Sequence, residues 1–371
     1  MKKIALLVFS AVLGLVACTK GNTSEGNFAG IGTEAGEKDK LFIVNQGSFP
    51  GSSTLDLMDL KTKVYQADIF GSANPEVVQG LGNTASDIAA IGGKLWVLLN
   101  ASNQIAIINI ADGKLVRYLA VDSPRYIIRE GSYAYVSSYG AAVNGSYYDV
   151  EGKVYRISLS DYSIKSVKVG YQPEGLAVLD GKLYVANSGG YQATPSSDVS
   201  VIDLTSFTKT TSINLPVKNL NRLFSAGGKL WITTYAGYNS DWSQVIVPMS
   251  LGSFTSSGTY TTVENVHANV VTLCNGVIYA IGNSQELSGG YDNCLYRYRI
   301  SDGNLSTTHF AGSALQAISY PYGIAVNPAS GEIYIADANF KGDSKVFGFD
   351  SSLNKLWEHA SGIGTGPMLV Y

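Results

Sequence analysis

Short apolar runs of four or five residues, interleaved with polar positions and cut by Asp-Gly or Gly-Gly pairs, recur from residue 41 to the end of the chain. Period-two alternation bounded by such pairs signals β-hairpins, and no long 3.6-residue pattern competes with it. A nearly all-β protein follows. Aligning the strands headed by a tight turn places an aromatic at Phe42, Trp96, Tyr135, Tyr184, Trp231, Tyr279 and Tyr334, at a mean spacing of about 49 residues. That period suits one four-stranded propeller blade. The unit is clearest in Pro173 to Pro216: Gly175 to Leu179 is an inner strand, Asp180-Gly181 a turn, and Leu183 to Asn187 a second strand. A Gly-rich loop, a third strand from Val199 to Asp203 and an alternating outer strand from Lys209 to Leu215 complete it.

The ends agree with a closed ring. The first unit begins at its second strand, Leu41 to Asn45, and the chain finishes in Pro367-Met-Leu-Val-Tyr371, which aligns with Pro173-Glu-Gly-Leu-Ala. The expectation is therefore a seven-bladed β-propeller over 41–371, with the C-terminal strand supplying the missing inner strand of blade 1 and removing exposed sheet edges.

Charge narrows the partners. The 26 Lys and Arg stand against 29 Asp and Glu, and losing Lys2 and Lys3 with a leader leaves 24 against 29. Nucleic acid is not expected, because phosphate binding rests on concentrated cations. With 3 His in 371 residues, general bases and metal ligands are scarce. His267, His309 and His359 fall in different repeats without paired spacing, so no metal site and no catalytic cofactor are expected.

In a propeller, the second-to-third-strand loops open on the face where the inner strands begin. The alignment sets Met368, Ser86, Arg125, Glu174, Asn221, Asn269 and Tyr322 around the channel mouth. The loops on that face are long and aromatic, with Phe49, Tyr139, Tyr147, Tyr148, Tyr191, Tyr235, Tyr238, Trp242, Tyr291 and Phe340 among amides such as Asn45, Asn100, Asn103 and Asn187. Rigid rings with Asn, Ser and Gly make a ligand-binding mixture, and the opposite face has mostly short turns with no comparable cluster. The candidate ligand contacts are Tyr148, Tyr191, Tyr238, Trp242 and Tyr322 for stacking, and Arg125, Glu174, Asn221 and Asn269 for polar bonds. No catalytic residues are assigned.

Other motifs carry less. Gly362-Ile-Gly-Thr-Gly366 lacks a following helix to hold a phosphate and reads as a turn. Ser206…Lys209 and Ser352…Lys355 sit in turns, and the Asp337 to Asp343 loop has Lys341 where a calcium ligand would stand. Cys274 falls at the bottom of an inner strand and Cys294 at the top of a third strand, roughly 15 Å apart against the ~7 Å limit for a bridge, so two separate buried thiols are expected.

Lys2-Lys3, the largely apolar run Ile4 to Val16 and a small-residue site form a secretory leader, too short to span a bilayer. Leu15-Val16-Ala17-Cys18 resembles the bacterial lipobox. The resemblance implies a signal peptide at 1–17, lipid on Cys18, and a Gly-, Ser- and Thr-rich tether at 18–40, with no other membrane contact.

Gly170-Tyr-Gln-Pro-Glu-Gly175, Ala186-Asn-Ser-Gly-Gly-Tyr191, Pro124-Arg-Tyr-Ile127 and Pro321-Tyr-Gly-Ile-Ala-Val-Asn-Pro328 resemble the secreted YncE-like propellers. Among these the chain is most similar to surface lipoproteins that capture cobalamin for gut commensal bacteria. The resemblance implies non-catalytic capture of a corrinoid at the cell surface or outer membrane, beside a TonB-dependent outer-membrane transporter. It departs from the expected pattern at Thr234-Tyr-Ala-Gly-Tyr238 and at Gly362 to Pro367, both beside the presumed ligand face. A glycan- or protein-binding surface propeller remains the alternative, and a propeller lyase or lactonase a further one.

Overall fold

A computed structural model describes residues 36–48, 51–238, 245–268, 270–284 and 292–371. It contains seven four-stranded antiparallel sheets arranged as the blades of a propeller, besides a two-stranded hairpin, Gly237–Tyr238 with Val245–Val247, in a blade 5 loop. The inner strands of blades 1 to 7 are Thr365–Val370, Ala85–Ile91, Pro124–Glu130, Pro173–Leu179, Leu220–Ala226, Val270–Cys274 and Pro321–Val326. Among the described residues there is one short helix, Ile69–Ala73, which follows the abbreviated outer strand Tyr65–Gln66 of blade 1 and buries Phe70 between blades 1 and 2.

Burial explains the residue pattern. Second strands such as Lys94–Leu99 are buried along nearly their whole length because a neighbouring blade covers each face, whereas the outer strand Thr208–Asn214 is almost wholly exposed and polar. Apolar layers fill the blade-to-blade junctions, and one of them runs on through blades 3 to 6. Phe42, Ile88 and Leu95 lie between blades 1 and 2, for example, and Leu41, Met58 and Tyr334 between blades 7 and 1. The bottom hairpins at Asp180-Gly181 and Asn275-Gly276 have positive φ at both central residues, 50° and 71° and then 48° and 71°, which suits the type I′ turn that matches strand twist.

The C-terminal strand closes the ring as expected, pairing Leu41 with Val370, Phe42 with Leu369 and Ile43 with Met368. Its register corrects the alignment by two residues. The strand begins at Thr365, so Gly366 stands where Glu174 stands in blade 4, and Met368 is 1% exposed in the blade 7–1 core, away from the channel mouth. The tail was misaligned on Pro367, whereas strand pairing is set by hydrophobic facing of Met368 and Val370.

Six inner strands share a register shift at their upper end: between Ala85 and Asp87, Pro124 and Ile127, Pro173 and Leu176, Leu220 and Leu223, Pro321 and Gly323, and within the Thr365–Met368 stretch paired to Ile43 and Asn45. Such bulges bend a strand and re-aim its side chains. Ser86, Arg125, Glu174, Asn221 and Tyr322, the aligned mouth residues, are the ones these shifts release from the ladder. The bulges also draw neighbouring backbones together: a Cβ on Gly175 would lie 2.2 Å from the Leu223 nitrogen, and one on Gly323 1.8 Å from the Gly366 oxygen. Only glycine fits at either place.

Candidate functional site

The bulge residues of blades 2 to 5 converge into a charged floor across the channel. Arg125 binds Glu174 through two nitrogens, Nε to Oε2 at 3.0 Å and Nη2 to Oε1 at 3.3 Å, and the Tyr139 hydroxyl donates to the same Oε1. The guanidinium lies 4.7 Å over the Tyr139 ring. Arg222 stacks 4.0 Å over Tyr126, whose hydroxyl is 3.4 Å from that of Tyr235. Asp87 accepts a 3.1 Å bond from the Ile127 amide. Two carboxylates and two guanidiniums leave the floor balanced. Among these residues a cavity of about 10 Å³, lined by Asp87, Tyr126, Gly175 and Arg222, has room for about one water.

Burial shapes the titration of this floor. It pushes the Asp87 carboxyl up to about 6, against the opposing pull of Arg222, the Ile127 and Ile88 amides and Arg125. Burial opposes the charge on Arg125, yet Glu174 and the surrounding phenols hold it charged beyond its ordinary range. Burial likewise holds Tyr139 and Tyr235 as neutral phenols, raised well above their usual value.

Two aromatic groups rise beside the floor. Tyr139, Tyr147 and Tyr191 form a triangle with centroid separations of 5.5, 5.9 and 5.8 Å, and Tyr191 is 56% exposed. Tyr147 is tied down by a 2.5 Å bond to Ser123. In blade 7, Tyr320, Tyr322 and Phe340 pack at 6.1, 6.0 and 5.3 Å. Phe340 and Tyr322 rest on the closing glycines: a Cβ on Gly364 would be 2.9 Å from Phe340, and one on Gly366 2.7 Å from Tyr322. The glycine run is a turn at Ile363-Gly364, as expected, and also a seat for two rings. Tyr322 remains within electrostatic reach of Tyr126, Arg125 and Arg222, which links the two aromatic groups through the floor.

The structure joins Arg125 to Glu174 and places Tyr191 and Tyr322 in the two aromatic groups. Asn221 is 2% exposed beside Arg222, and Tyr148 is 54% exposed outside the ring cluster. Ser86 braces the Pro124 carbonyl at 3.0 Å. Cys18, Trp242 and Asn269 lie outside the described residues, as does the Tyr238 side chain, and so do Phe49 and Tyr291. Sequence reasoning passed over Asp87, Tyr126 and Arg222, although each follows an aligned mouth residue by one position. In blades 3 and 5 a two-residue bulge presents both neighbours, which was the available signal, whereas Asp87 keeps its place in the ladder opposite Leu98. The amides behave differently from expectation. Asn45 bonds Thr54 and Asp56 at 2.8 Å each, and Asn187 bonds Asp198 at 2.7 Å and Ser200 at 3.0 Å, so both are spent bracing strands.

Cys274 and Cys294 are buried thiols with no bridge, at opposite ends of their sheet, opposite Val277 and Gly282 of the second strand. The histidine reading needs correction at one place. Antiparallel pairing sets His309 directly opposite Cys294 and within 2.6 Å of Asp292, a juxtaposition hidden by a separation of 15 and 17 residues along the chain. A cavity of about 350 Å³ lies on the flank of blade 6, lined by Tyr279, Arg297 and Arg299 and sharing no lining residue with the mouth.

No family model and no curated protein matches the chain. Solved structures do. A Bacteroides fragilis protein described provisionally as a 6-phosphogluconolactonase shares 10% identity at a TM-score of 0.57, covering 91% of this chain and 99% of that one. Hydrazine synthase of Kuenenia stuttgartiensis shares 15% identity at 0.55, with 74% and 86% covered. The Neurospora crassa Pan2 WD40 domain shares 12% at 0.50, with 76% and 79% covered. At these identities the similarity establishes the fold, a seven-bladed propeller, on which neighbours of differing description are built.

Proposed function

We propose that the channel mouth binds a corrinoid without performing chemistry on it. The observation that carries this reading is the pair of aromatic groups, Tyr139/Tyr147/Tyr191 and Tyr320/Tyr322/Phe340, flanking a charge-balanced floor. A corrin is a broad, largely apolar macrocycle fringed by amides. It needs stacking area and neutral hydrogen bonding more than charge, and a mouth held by rigid blades keeps the ordering cost low. The lipobox at Cys18 and the polar 18–40 segment suit delivery from a lipid anchor at the cell envelope, in the outer membrane or on its surface, to a TonB-dependent transporter. Arg125 and Glu174 are paired with each other, Arg222 lies over Tyr126 and Asp87 accepts the Ile127 amide, an arrangement that favours binding over lactonase or lyase chemistry.

The test is calorimetric titration of the untagged mature domain with cyanocobalamin and cobinamide, beside a glycan panel. Saturable corrinoid binding is expected, and Tyr322→Ala should weaken it about thirtyfold, the ~2 kcal/mol of one aromatic anchor. No heat from either corrinoid at about 100 μM, a concentration that detects Kd values well into the micromolar range, would overturn the reading in favour of a glycan or protein ligand.

A further inference from the structure

Blade 6 carries a second constellation, on its outer strands and independent of the channel mouth. Asp292 and Cys294 lie two residues apart on the third strand Asp292–Arg299 and therefore share a face of the sheet; His309 ends the outer strand Leu305–His309 and pairs directly with Cys294. The carboxylate Oδ2 is 2.6 Å from His309 Nδ1, the Cys294 sulfur is 3.4 Å from that same nitrogen, and one donor atom from each residue lies within 4.8 Å of the other two. Both contacts fall on one ring nitrogen. A thiol–imidazole–carboxylate relay for nucleophilic catalysis needs its thiol and acid on opposite nitrogens. Three donors converging on one point is instead the requirement of a chelate.

We propose that Asp292, Cys294 and His309 form a three-ligand zinc site. Tetrahedral zinc with ordinary Zn–S and Zn–N bonds separates sulfur from nitrogen by ~3.5 Å, close to the spacing present. The carboxylate and imidazole must part from 2.6 Å to ~3.3 Å, and they have room to do so, their side chains being 32% and 59% exposed. The sulfur supplies the fixed corner, since Cys294 is 1% exposed and packed with Tyr296, Val266 and Ala268. The surroundings support the ligands. The Ala311 amide bonds Asp292 Oδ1 at 3.3 Å, and the Tyr296 hydroxyl is within hydrogen-bonding reach of Cys294. Arg297 alternates to the opposite face of the strand.

On binding, the imidazole proton moves from Nδ1 to Nε2 and the thiol proton passes to solvent. One proton is released per ion, and the loaded site, Zn²⁺ with one carboxylate and one thiolate, is neutral. The thiolate selects zinc over magnesium and calcium. The exposed side of the cup leaves the fourth position to water or an incoming ligand, as in open zinc sites.

The experiment is titration of the untagged, reduced mature domain with Zn²⁺ against a chromogenic chelator, and with Co²⁺ followed by absorbance. One equivalent of each ion should bind, cobalt giving visible d–d bands and a near-ultraviolet thiolate-to-metal band. Cys294→Ser should abolish the thiolate band and weaken zinc at least a hundredfold, and so should His309→Ala, whose exposed site makes it the safer variant for folding. Cys274→Ser should change neither. The proposal is overturned by the absence of a thiolate band in the parent, or by zinc affinity that survives His309→Ala in a variant melting like the parent.

Discussion

On the blade 2–5 side of the channel mouth, each charge has a partner: Arg125 grips Glu174, Arg222 lies over Tyr126, and Asp87 takes a backbone amide. On the side where blade 7 meets the closing strand, Tyr322 and Phe340 rest on the bare backbone of Gly366 and Gly364 and stay 39% and 43% exposed. The first side is already satisfied and has little to offer a ligand beyond a rigid surface. The second keeps its apolar area exposed among the described residues. Division of this kind, a locked polar base beside an open aromatic shelf, lets stability and binding be carried by different residues. It predicts that substitutions on the two sides fail in different assays.

The largest stability effect belongs to Arg125→Ala. It strands Glu174, whose side chain is 2% exposed, as an uncompensated buried charge, at a cost of about 3–5 kcal/mol. Urea denaturation should show that loss, and the double variant Arg125→Ala/Glu174→Ala should recover part of it, because no charge is then left behind. A single variant within ~1 kcal/mol of the parent would mean that the floor is hydrated and the contrast between the sides is false.

The locked side was half legible in the sequence, and the reason is geometric. Repeat alignment finds Arg125 and Glu174 because each blade places an equivalent residue at the mouth. It missed Tyr126 and Arg222 because an unbroken strand would aim successive side chains to opposite sides, and only the bulge turns both toward the channel. The open side was less legible. Met368 was assigned to the mouth on a two-residue slip, and the glycines that seat the rings carry no side chain to mark them. Asn45 and Asn187 have a ligand-binding composition and a structural role, since a buried amide must find partners and the nearest are on the adjoining strand. The Asp292/Cys294/His309 cluster depends on strand pairing, which linear spacing does not reveal.

A second prediction probes the burial of the floor through pH. Asp87 titrates near 6 in the folded chain and at an ordinary 3.8 when unfolded, so between those values the folded state binds more protons. Stability from this group therefore falls as pH rises from about 4 to 6, by up to ~3 kcal/mol, and is flat above. Asp87→Asn keeps an acceptor for the Ile127 amide and removes the titration. The loss of a countercharge for Arg222 adds only a constant offset. Melting temperatures at pH 4, 5, 6 and 7 should thus show the variant gaining on the parent through that window. A parent-to-variant difference independent of pH would place Asp87 in contact with bulk water.

The smallest stability effect is expected on the open side, and it sharpens the comparison most. A methyl at Gly366 would stand 2.7 Å from Tyr322 Cδ1 and 3.0 Å from Cε1, too close to keep the ring in place. The obstacle is the ring of a half-exposed side chain, which can swing toward solvent, so Gly366→Ala should cost about 1 kcal/mol or less in stability. The displaced ring no longer stacks on Tyr320 or meets Phe340 edge-on, contacts now 6.1 and 5.3 Å between centroids. Corrinoid affinity should then fall about tenfold or more while the melting temperature barely moves, the reverse of the Arg125→Ala result. Calorimetry and thermal melting on the same preparation check both halves. A variant that keeps full affinity with Tyr322 displaced would remove the shelf from the binding surface, leaving the Tyr139/Tyr147/Tyr191 triangle as the place where a ligand must stack.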